Sequence, residues 1–370
     1  MVNIKFMEKA LSLAEKGAGF VNPNPMVGCI IVKNGNIIAK GYHKTFGGNH
    51  AEIEALNSLT TDPRGATMYV TLEPCCHYGK TPPCVNAIIE SGIKKVAIGM
   101  LDPNPLVAGK GVKILREEGV EVITNVLEEK ASKLNEIFIK YITTGSPFCL
   151  MKSAMSLDGK IATKFSDSKW ITCDESRRYV HKLRHRYTSI MVGINTVLVD
   201  NPLLTVRIPG FEGENPIRII VDSKCRIPLE ANVVKKLSFA RTIIATTNEN
   251  NNTEKIKRLE DMGVEVLILP SKNKRVDLNI LMKKLGEKNI DSVLLEGGGT
   301  LNYSALKKNI VDKVNFFIAP KIIGGSLSKT PVEGDGAPLV DNAFLVDNMI
   351  THRFGQDIMI EGYVGKRRID

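Results

Sequence analysis

Apolar positions recur along this chain with two periods, and the changes of period mark its elements. At Phe6, Met7, Ala10, Leu11, Leu13 and Ala14 the spacing is helical, predicting a helix over residues 4–16. Gly17 and Gly19 end it, and Asn22-Pro23-Asn24-Pro25 cannot continue it. Two apolar runs, Cys29-Ile30-Ile31-Val32 and Ile37-Ile38-Ala39, flank Lys33-Asn34-Gly35-Asn36, a hairpin signal around Asn-Gly. Helices over 51–59 and 84–90 then alternate with strands at 66–71 and 96–99, Pro82 and Pro83 standing just before the second helix. Residues 112–118, 120–124 and 128–141 complete a domain of ordinary size, an α/β/α layer sandwich.

Thr143-Thr144-Gly145-Ser146-Pro147 reads as a linker, after which the pattern restarts. A strand at 148–152 and a helix at 175–185 precede strands at 189–192, 217–221, 242–246 and 264–269. Helix-like stretches such as 278–288 alternate with them, predicting a mainly parallel α/β sheet. Residues 248–257 start as a solvated loop. Further apolar strands are expected at 292–295 and 314–323. The expected domains are therefore residues 1–145 and 146–370.

Composition narrows the class. At 370 residues two domains are the prior, and 43% hydrophobic with 24% charged residues suits globular cores. The seven cysteines are an odd count clustered at one place, which points to a reducing compartment rather than a disulfide framework. The start lacks the apolar segment of a secretory signal, and no run is long enough to span a membrane, so a cytoplasmic location is expected. The net charge of +10 is compatible with nucleic acid or with anionic small molecules. Lys and Arg are spread along the chain, and charge alone does not decide.

The chemistry concentrates between His50 and Cys84. His50-Ala51-Glu52, then Pro74-Cys75 and Cys84, repeat the H-x-E and P-C pattern of zinc-dependent nucleobase deaminases. One imidazole and two thiols hold a zinc ion and leave a fourth position for water. Glu52, two residues from His50, can reach that water and carry its proton to a leaving amine. Cys76 is a second candidate thiol; Cys75 is preferred because it directly follows Pro74. Eight residues separate Cys75 from Cys84, where the commonest pattern has two. Far downstream, Glu296-Gly297-Gly298-Gly299-Thr300 follows the apolar run Ser292-Val293-Leu294-Leu295. Strand, glycines and helix start fit a phosphate cradle, and a tight turn would also want these glycines. The full G-x-G-x-x-G of a dinucleotide fold is absent.

Taken with Asn22 to Gly28, Met151-Lys152-Ser153-Ala154, Ser156-Leu157-Asp158-Gly159, Trp170-Ile171-Thr172, Val192-Gly193-Ile194-Asn195-Thr196, Asp200-Asn201-Pro202 and Leu204-Thr205-Val206-Arg207, the chain resembles the bifunctional riboflavin-biosynthesis deaminase/reductase family. The eight-residue gap between the cysteines is what that family shows. The resemblance covers nearly all of the chain. It implies a cytidine-deaminase-like first domain and a second domain like dihydrofolate reductase. The first would remove the 2-amino group of a diamino-phosphoribosylaminopyrimidinone, using Zn2+ on His50, Cys75 and Cys84 with Glu52 as the catalytic carboxylate. The second would use NADPH to reduce the ribose of that product to a ribityl chain.

Substrate positions implied in the first domain are Asn24, His43, His77, Lys80, Asp102 and Asn104. Those in the second are Lys152, Ser168, Arg184, Leu204, Arg207 and Glu296. The implied cofactor positions are Ala154, Trp170, Thr196, Asp200, Ser223, Gly298, Gly299, Thr300, Leu301, Asn302, Tyr303 and Ser304. Gly298 and Gly299 are expected to let the backbone meet the cofactor phosphates. Without the resemblance, Lys80 reads as a solvated charge and Trp170 as packing. Expected partners are the small phosphoribosyl pyrimidine and further copies of the chain as a homo-oligomer, with no nucleic acid and no membrane. A deaminase acting on tRNA would suit the charge, but it would leave the second domain unexplained. With aromatics at only 6%, the chain also lacks a platform for stacking single strands. A non-catalytic binding module is disfavoured because His50, Glu52, Cys75 and Cys84 are all present.

Overall fold

The computed structural model describes residues 2–76, 83–104, 108–211, 213–249 and 252–365. Two compact units divide the chain, Met1–Gly145 and Ser146–Asp370. Among the described residues no helix is long and apolar enough to cross a membrane.

In the first unit, α1 (Ile4–Ala14) starts at Asn3, whose side chain accepts from the Lys5 N–H and caps the helix. It buries Met7, Ala10, Leu11 and Ala14, one face at helical spacing. Strands β1 (Gly28–Lys33) and β2 (Asn36–Tyr42) form the expected hairpin. Asn34 and Gly35 take φ values of 50° and 78°, the left-handed pair that such a turn requires. Then come α2 (Ala51–Asn57), β3 (Thr67–Leu72), α3 (Cys84–Glu90), β4 (Lys95–Met100), α4 (Lys110–Glu117) and β5 (Glu121–Ile123). The sheet order is β2-β1-β3-β4-β5, antiparallel through β3 and parallel beyond it.

Residues 128–144 form two helices, α5 (Glu128–Leu134) and α6 (Glu136–Thr144). The break is at buried Asn135, whose side chain accepts from the Met26 N–H at 2.8 Å and donates to the Met26 carbonyl at 3.0 Å. Leaving the helix lets Asn135 satisfy the loop at residues 22–26. The expected linker is shorter than read. Thr143 and Thr144 are still helical, their hydroxyls bonded to the Ile139 and Lys140 carbonyls, and Gly145 ends α6 at φ 67°.

The second unit opens with β6 (Phe148–Ser156), longer than expected, followed by α7 (Asp174–Arg186), β7 (Ser189–Gly193), α8 (Ile194–Asp200), β8 (Ile217–Val221), α9 (Asn232–Lys235) and β9 (Thr242–Thr247). Next are α10 (Thr253–Asp261), β10 (Glu265–Leu269), the short pair β11 (Ser271–Lys272) and β12 (Arg275–Val276), α11 (Leu278–Glu287), β13 (Ser292–Leu295), α12 (Gly299–Lys307) and β14 (Lys313–Ala319). Strands β15 (Val346–Phe354) and β16 (Asp357–Val364) close the chain. The large sheet runs β10-β9-β8-β7-β13-β6-β14-β16-β15, parallel from β10 to β14. Its last two strands are antiparallel. The strand expected over 314–323 ends at Ala319, because Pro320 has no N–H to offer a ladder.

Helices press closely on the first sheet. A Cβ at Gly41 would stand 2.3 Å from the Ala55 nitrogen and 2.4 Å from the Ala51 carbonyl oxygen, both on the backbone of α2. Gly41→Ala must therefore push α2 off the sheet, and overpacking of this kind costs about 1–3 kcal/mol. A urea melt should show that loss, and an unchanged midpoint would contradict the packing described.

Candidate metal centre and cofactor cavity

His50 ends the loop before α2, Cys75 follows β3, and Cys84 begins α3. Their Nδ1 and Sγ atoms lie within 4.8 Å of one another and are, among the described residues, the group able to hold a metal. His50 Nδ1 is 3.5 Å from the Cys75 sulfur and 3.3 Å from the Cys84 sulfur. The Cys84 backbone N–H donates to the Cys75 sulfur at 3.3 Å. Cys76 is outside this group and packs against the apolar core.

Hydrogen bonding from the Cys84 thiol, then from His50, holds Cys75 down at about 4, well below a usual thiol. Hydrogen bonding to Cys75 is in turn the main reason that Cys84 and His50 are each raised. The two thiols thus share a hydrogen bond in which Cys75 is the more acidic partner. Glu52 is 3% exposed, and burial, followed by the Cys75 charge, pushes it up to about 7. Its carboxyl also hydrogen-bonds the Cys84 thiol.

Beside this group, His43 Nδ1 donates to the Asn49 carbonyl at 2.8 Å, so its Nε2 accepts from the Asn24 amide at 3.1 Å. Burial lowers His43, which keeps the ring neutral for this arrangement. The ring meets that of His50 edge-on at 5.7 Å. Asp102 accepts from the Asn104 N–H at 2.8 Å, forming a local turn after β4. His77 and Lys80 lie outside the described residues.

The second unit holds a cavity of about 710 Å³. Thr196, Asp200, Ser223, Gly298, Gly299, Thr300, Leu301 and Ser304 line it, as does Ser168, expected on the substrate side. Ala154, Trp170, Asn302 and Tyr303 do not. The reason lies in the helix period: 300, 301 and 304 share one side of α12, with 298 and 299 at its start, and 302 and 303 face away. Asn302 donates to the Pro331 carbonyl and Tyr303 to the Gly336 carbonyl. Trp170 is 61% exposed, lies 4.6 Å from the Arg177 guanidinium, and its carbonyl accepts from Lys321. The two glycines also differ. A Cβ on Gly298 would meet only the Thr196 hydroxyl, at an ordinary 4.0 Å, while one on Gly299 would stand 2.5 Å from Glu333 and the Thr330 carbonyl. Gly299 is thus required by the approach of residues 330–333, and Gly298 is the one that leaves room in the cavity.

A charged cluster joins several of the other expected residues. The Arg184 fork meets Glu296 at 2.8 and 3.0 Å, and Lys152 reaches the same carboxylate at 3.5 Å. Burial would raise Glu296, but Arg184 and then Lys152 outweigh it and hold it at about 2. Arg184 also donates to the Thr205 carbonyl, and Arg207 to the Thr205 hydroxyl. Leu204, at φ 53° and 4% exposed, gives its side chain to the core, leaving only its backbone to meet a ligand. His181 was missed. It stands three residues before Arg184 on α7, and its Nδ1 accepts from the Arg207 N–H at 3.2 Å. The i, i+3 spacing to Arg184 was the one available signal.

Two measurements follow. Elemental analysis should find about one zinc per chain in the wild type and in Cys76→Ser, and none in Cys75→Ser or Cys84→Ser. Zinc lost from Cys76→Ser but kept by Cys75→Ser would exchange the two thiols. For His181, burial and then the charges of Arg184 and Arg207 lower the pKa from 6.5 to about 4. Between these values the unfolded chain takes up a proton that the folded chain refuses, so stability falls as pH drops from 6.5 towards 4 and then levels. His181→Gln should lose less stability than the wild type between about pH 7 and about pH 4.5 in urea titrations. An equal or larger loss would contradict a neutral His181.

Residues 2–100 match the cytidine and deoxycytidylate deaminase zinc-binding region, and residues 147–359 match the RibD C-terminal domain. The riboflavin biosynthesis protein RibD of Actinobacillus pleuropneumoniae is 50% identical over 361 residues, covering 98% of this chain and 95% of its own. Its counterpart in Aquifex aeolicus is 45% identical over 360 residues, with 97% and 98% covered. A solved structure from Thermotoga maritima, named a diaminohydroxyphosphoribosylaminopyrimidine deaminase/5-amino-6-(5-phosphoribosylamino)uracil reductase, aligns with a TM-score of 0.84 at 42% identity, covering 98% of both chains. With such identity along nearly its whole length, the chain belongs to the RibD family of bifunctional riboflavin-biosynthesis deaminase/reductases.

Proposed function

We propose that the first unit hydrolyses the 2-amino group of 2,5-diamino-6-(5-phosphoribosylamino)pyrimidin-4-one, releasing ammonia, and that the second reduces the ribosyl group of the product to ribityl with NADPH. The observation that carries the first half is the convergence of His50, Cys75 and Cys84 beside the buried Glu52. One nitrogen and two sulfur donors suit zinc and leave a tetrahedral position open. A bound zinc ion would make water acidic near neutral pH. Glu52, with its pKa near 7, can take a proton from the attacking water and deliver it to the departing amine. Asn24, His43, Asp102 and Asn104 are the described candidates for orienting the pyrimidine, and His43 does so as a neutral ring.

In the second unit, the cavity wall of Thr196, Asp200, Ser223, Gly298 and Thr300 is assigned to NADPH, which supplies the hydride. Lys152, Arg184 and Arg207 outnumber Glu296, so the cluster suits a substrate phosphate. Its role is to hold and orient.

Glu52→Gln should keep its zinc and lose ammonia release by about 10²–10⁴-fold, the usual scale of proton-transfer catalysis. NADPH oxidation with supplied deaminated product should persist. Loss of both activities in a folded Glu52→Gln protein would sink the assignment of two independent sites.

A further inference from the structure

Glu73 stands two residues before Cys75 and has no part in the chemistry above. It is a carboxylate only 3% exposed, at the end of β3, and its partners are backbone N–H groups. Oε2 accepts from Asp102 at 3.2 Å and from Gly109 at 2.9 Å, and Oε1 accepts from Val112 at 3.1 Å. The two ends of the segment 102–109 therefore converge on a single oxygen.

The same carboxylate completes α4. Gly109, the residue before that helix, has no side chain to cap it, and no acidic residue lies in its first turn. Val112 is its third residue, the position a capping oxygen normally serves. Glu73 supplies that oxygen from another element, and its charge suits the positive end of the helix. Gly111 permits the approach, since a Cβ there would stand 2.3 Å from the Pro74 carbonyl oxygen and 3.2 Å from Glu73 Oε1. From Glu73 the connections run outward in two directions. Along the chain lies Cys75; through the Asp102 N–H lies the turn in which Asp102 accepts from Asn104 and Asn104 accepts from Ala108.

We propose that Glu73 is the positioning residue of the deaminase site, fixing the Asp102–Asn104 turn against the Cys75 turn so that it governs nucleotide affinity rather than metal binding or proton transfer. The inference rests on the deaminase reading above and on Asp102 and Asn104 facing the pyrimidine nucleotide. Removing the carboxylate frees three N–H groups and releases the Asp102–Asn104 turn from Gly109 and α4, while His50, Cys75, Cys84 and Glu52 keep their own elements. Glutamine is a partial substitute. Its one carbonyl can still accept from Asp102 and Gly109, but its NH2 then faces the Val112 N–H.

The test uses the full-length chain in three forms: wild type, Glu73→Gln and Glu73→Ala. The expected result is about one zinc per chain in all three, kcat for ammonia release within about threefold, and KM raised about tenfold or more in Glu73→Ala and less in Glu73→Gln. Repeating the Glu73 changes in a Glu52→Gln background, where the nucleotide is not turned over, should raise its calorimetric Kd in the same order. Should Glu73→Ala fail to fold, Gly111→Ala, which forces α4 away from Pro74 and Glu73, should raise Kd with zinc retained. Zinc and kcat lost together at unchanged KM would make Glu73 a mere support of the metal turn and overturn the inference. Unchanged KM and Kd with zinc retained would overturn it equally. A wild-type protein that releases no ammonia overturns the deaminase reading itself, and the inference with it.

Discussion

A helix can approach a sheet only as closely as the side chains between them permit, and in the first unit glycine removes that limit. Gly28 lies under α1, where a Cβ would stand 2.0 Å from the Ala10 carbonyl oxygen, and Gly41 lies under α2. The second contact decides the chemistry. It seats α2 so deeply that Glu52, on its first turn, is cut off from water, and that burial lifts its pKa to about 7. A carboxyl poised near neutral pH thus traces back to a residue without a side chain on a neighbouring strand. His50 is placed by the same helix, so the depth of one helix sets both the imidazole and the carboxyl beside it.

The second unit solves its placement with charge. Arg184 of α7 and Lys152 of β6 both meet Glu296, which follows β13, so a helix, the middle of one strand and the end of another share one carboxylate. The loop carrying Leu204 and Arg207 is held from below by Arg218, a buried guanidinium that donates to the carbonyls of Leu203, Lys236 and Ala240. Burial lowers Arg218 to about 10, which still leaves it charged at neutral pH. Carbonyl dipoles take the place of a counter-ion there, an arrangement that depends on all three loops keeping their course.

What could be read from the sequence follows from how each feature is encoded. The opening helix, the Asn34-Gly35 hairpin and the parallel strands announce themselves through local period and turn chemistry, and they stand close to where that pattern puts them. The break at Asn135 was invisible because its cause, the backbone of Met26, is far away in sequence. Strands β15 and β16 were missed because β15 is an edge strand exposed along most of its length, with no apolar alternation to betray it. Three-dimensional closeness of His50, Cys75 and Cys84 was legible, since spacing and residue type encode it. Of the contiguous run 298–304, residues 298–301 and 304 line the cavity, because only one side of a helix can face it. His181 and Glu73 act through backbone groups of distant residues, which no linear motif records.

The cluster around Glu296 has an energetic side. Three cationic groups, Lys152, Arg184 and Arg207, stand with a single carboxylate, and Arg184 and Arg207 are close enough for one to disfavour the charge of the other. The unfolded chain spreads these charges through water; folding collects them. Part of the binding energy of any anion that fits among them is therefore repulsion relieved, not attraction gained. Such an anion binds only the folded chain and so draws the folding equilibrium with it. In this unit ligand recognition and conformational stability are then one electrostatic balance seen from two sides.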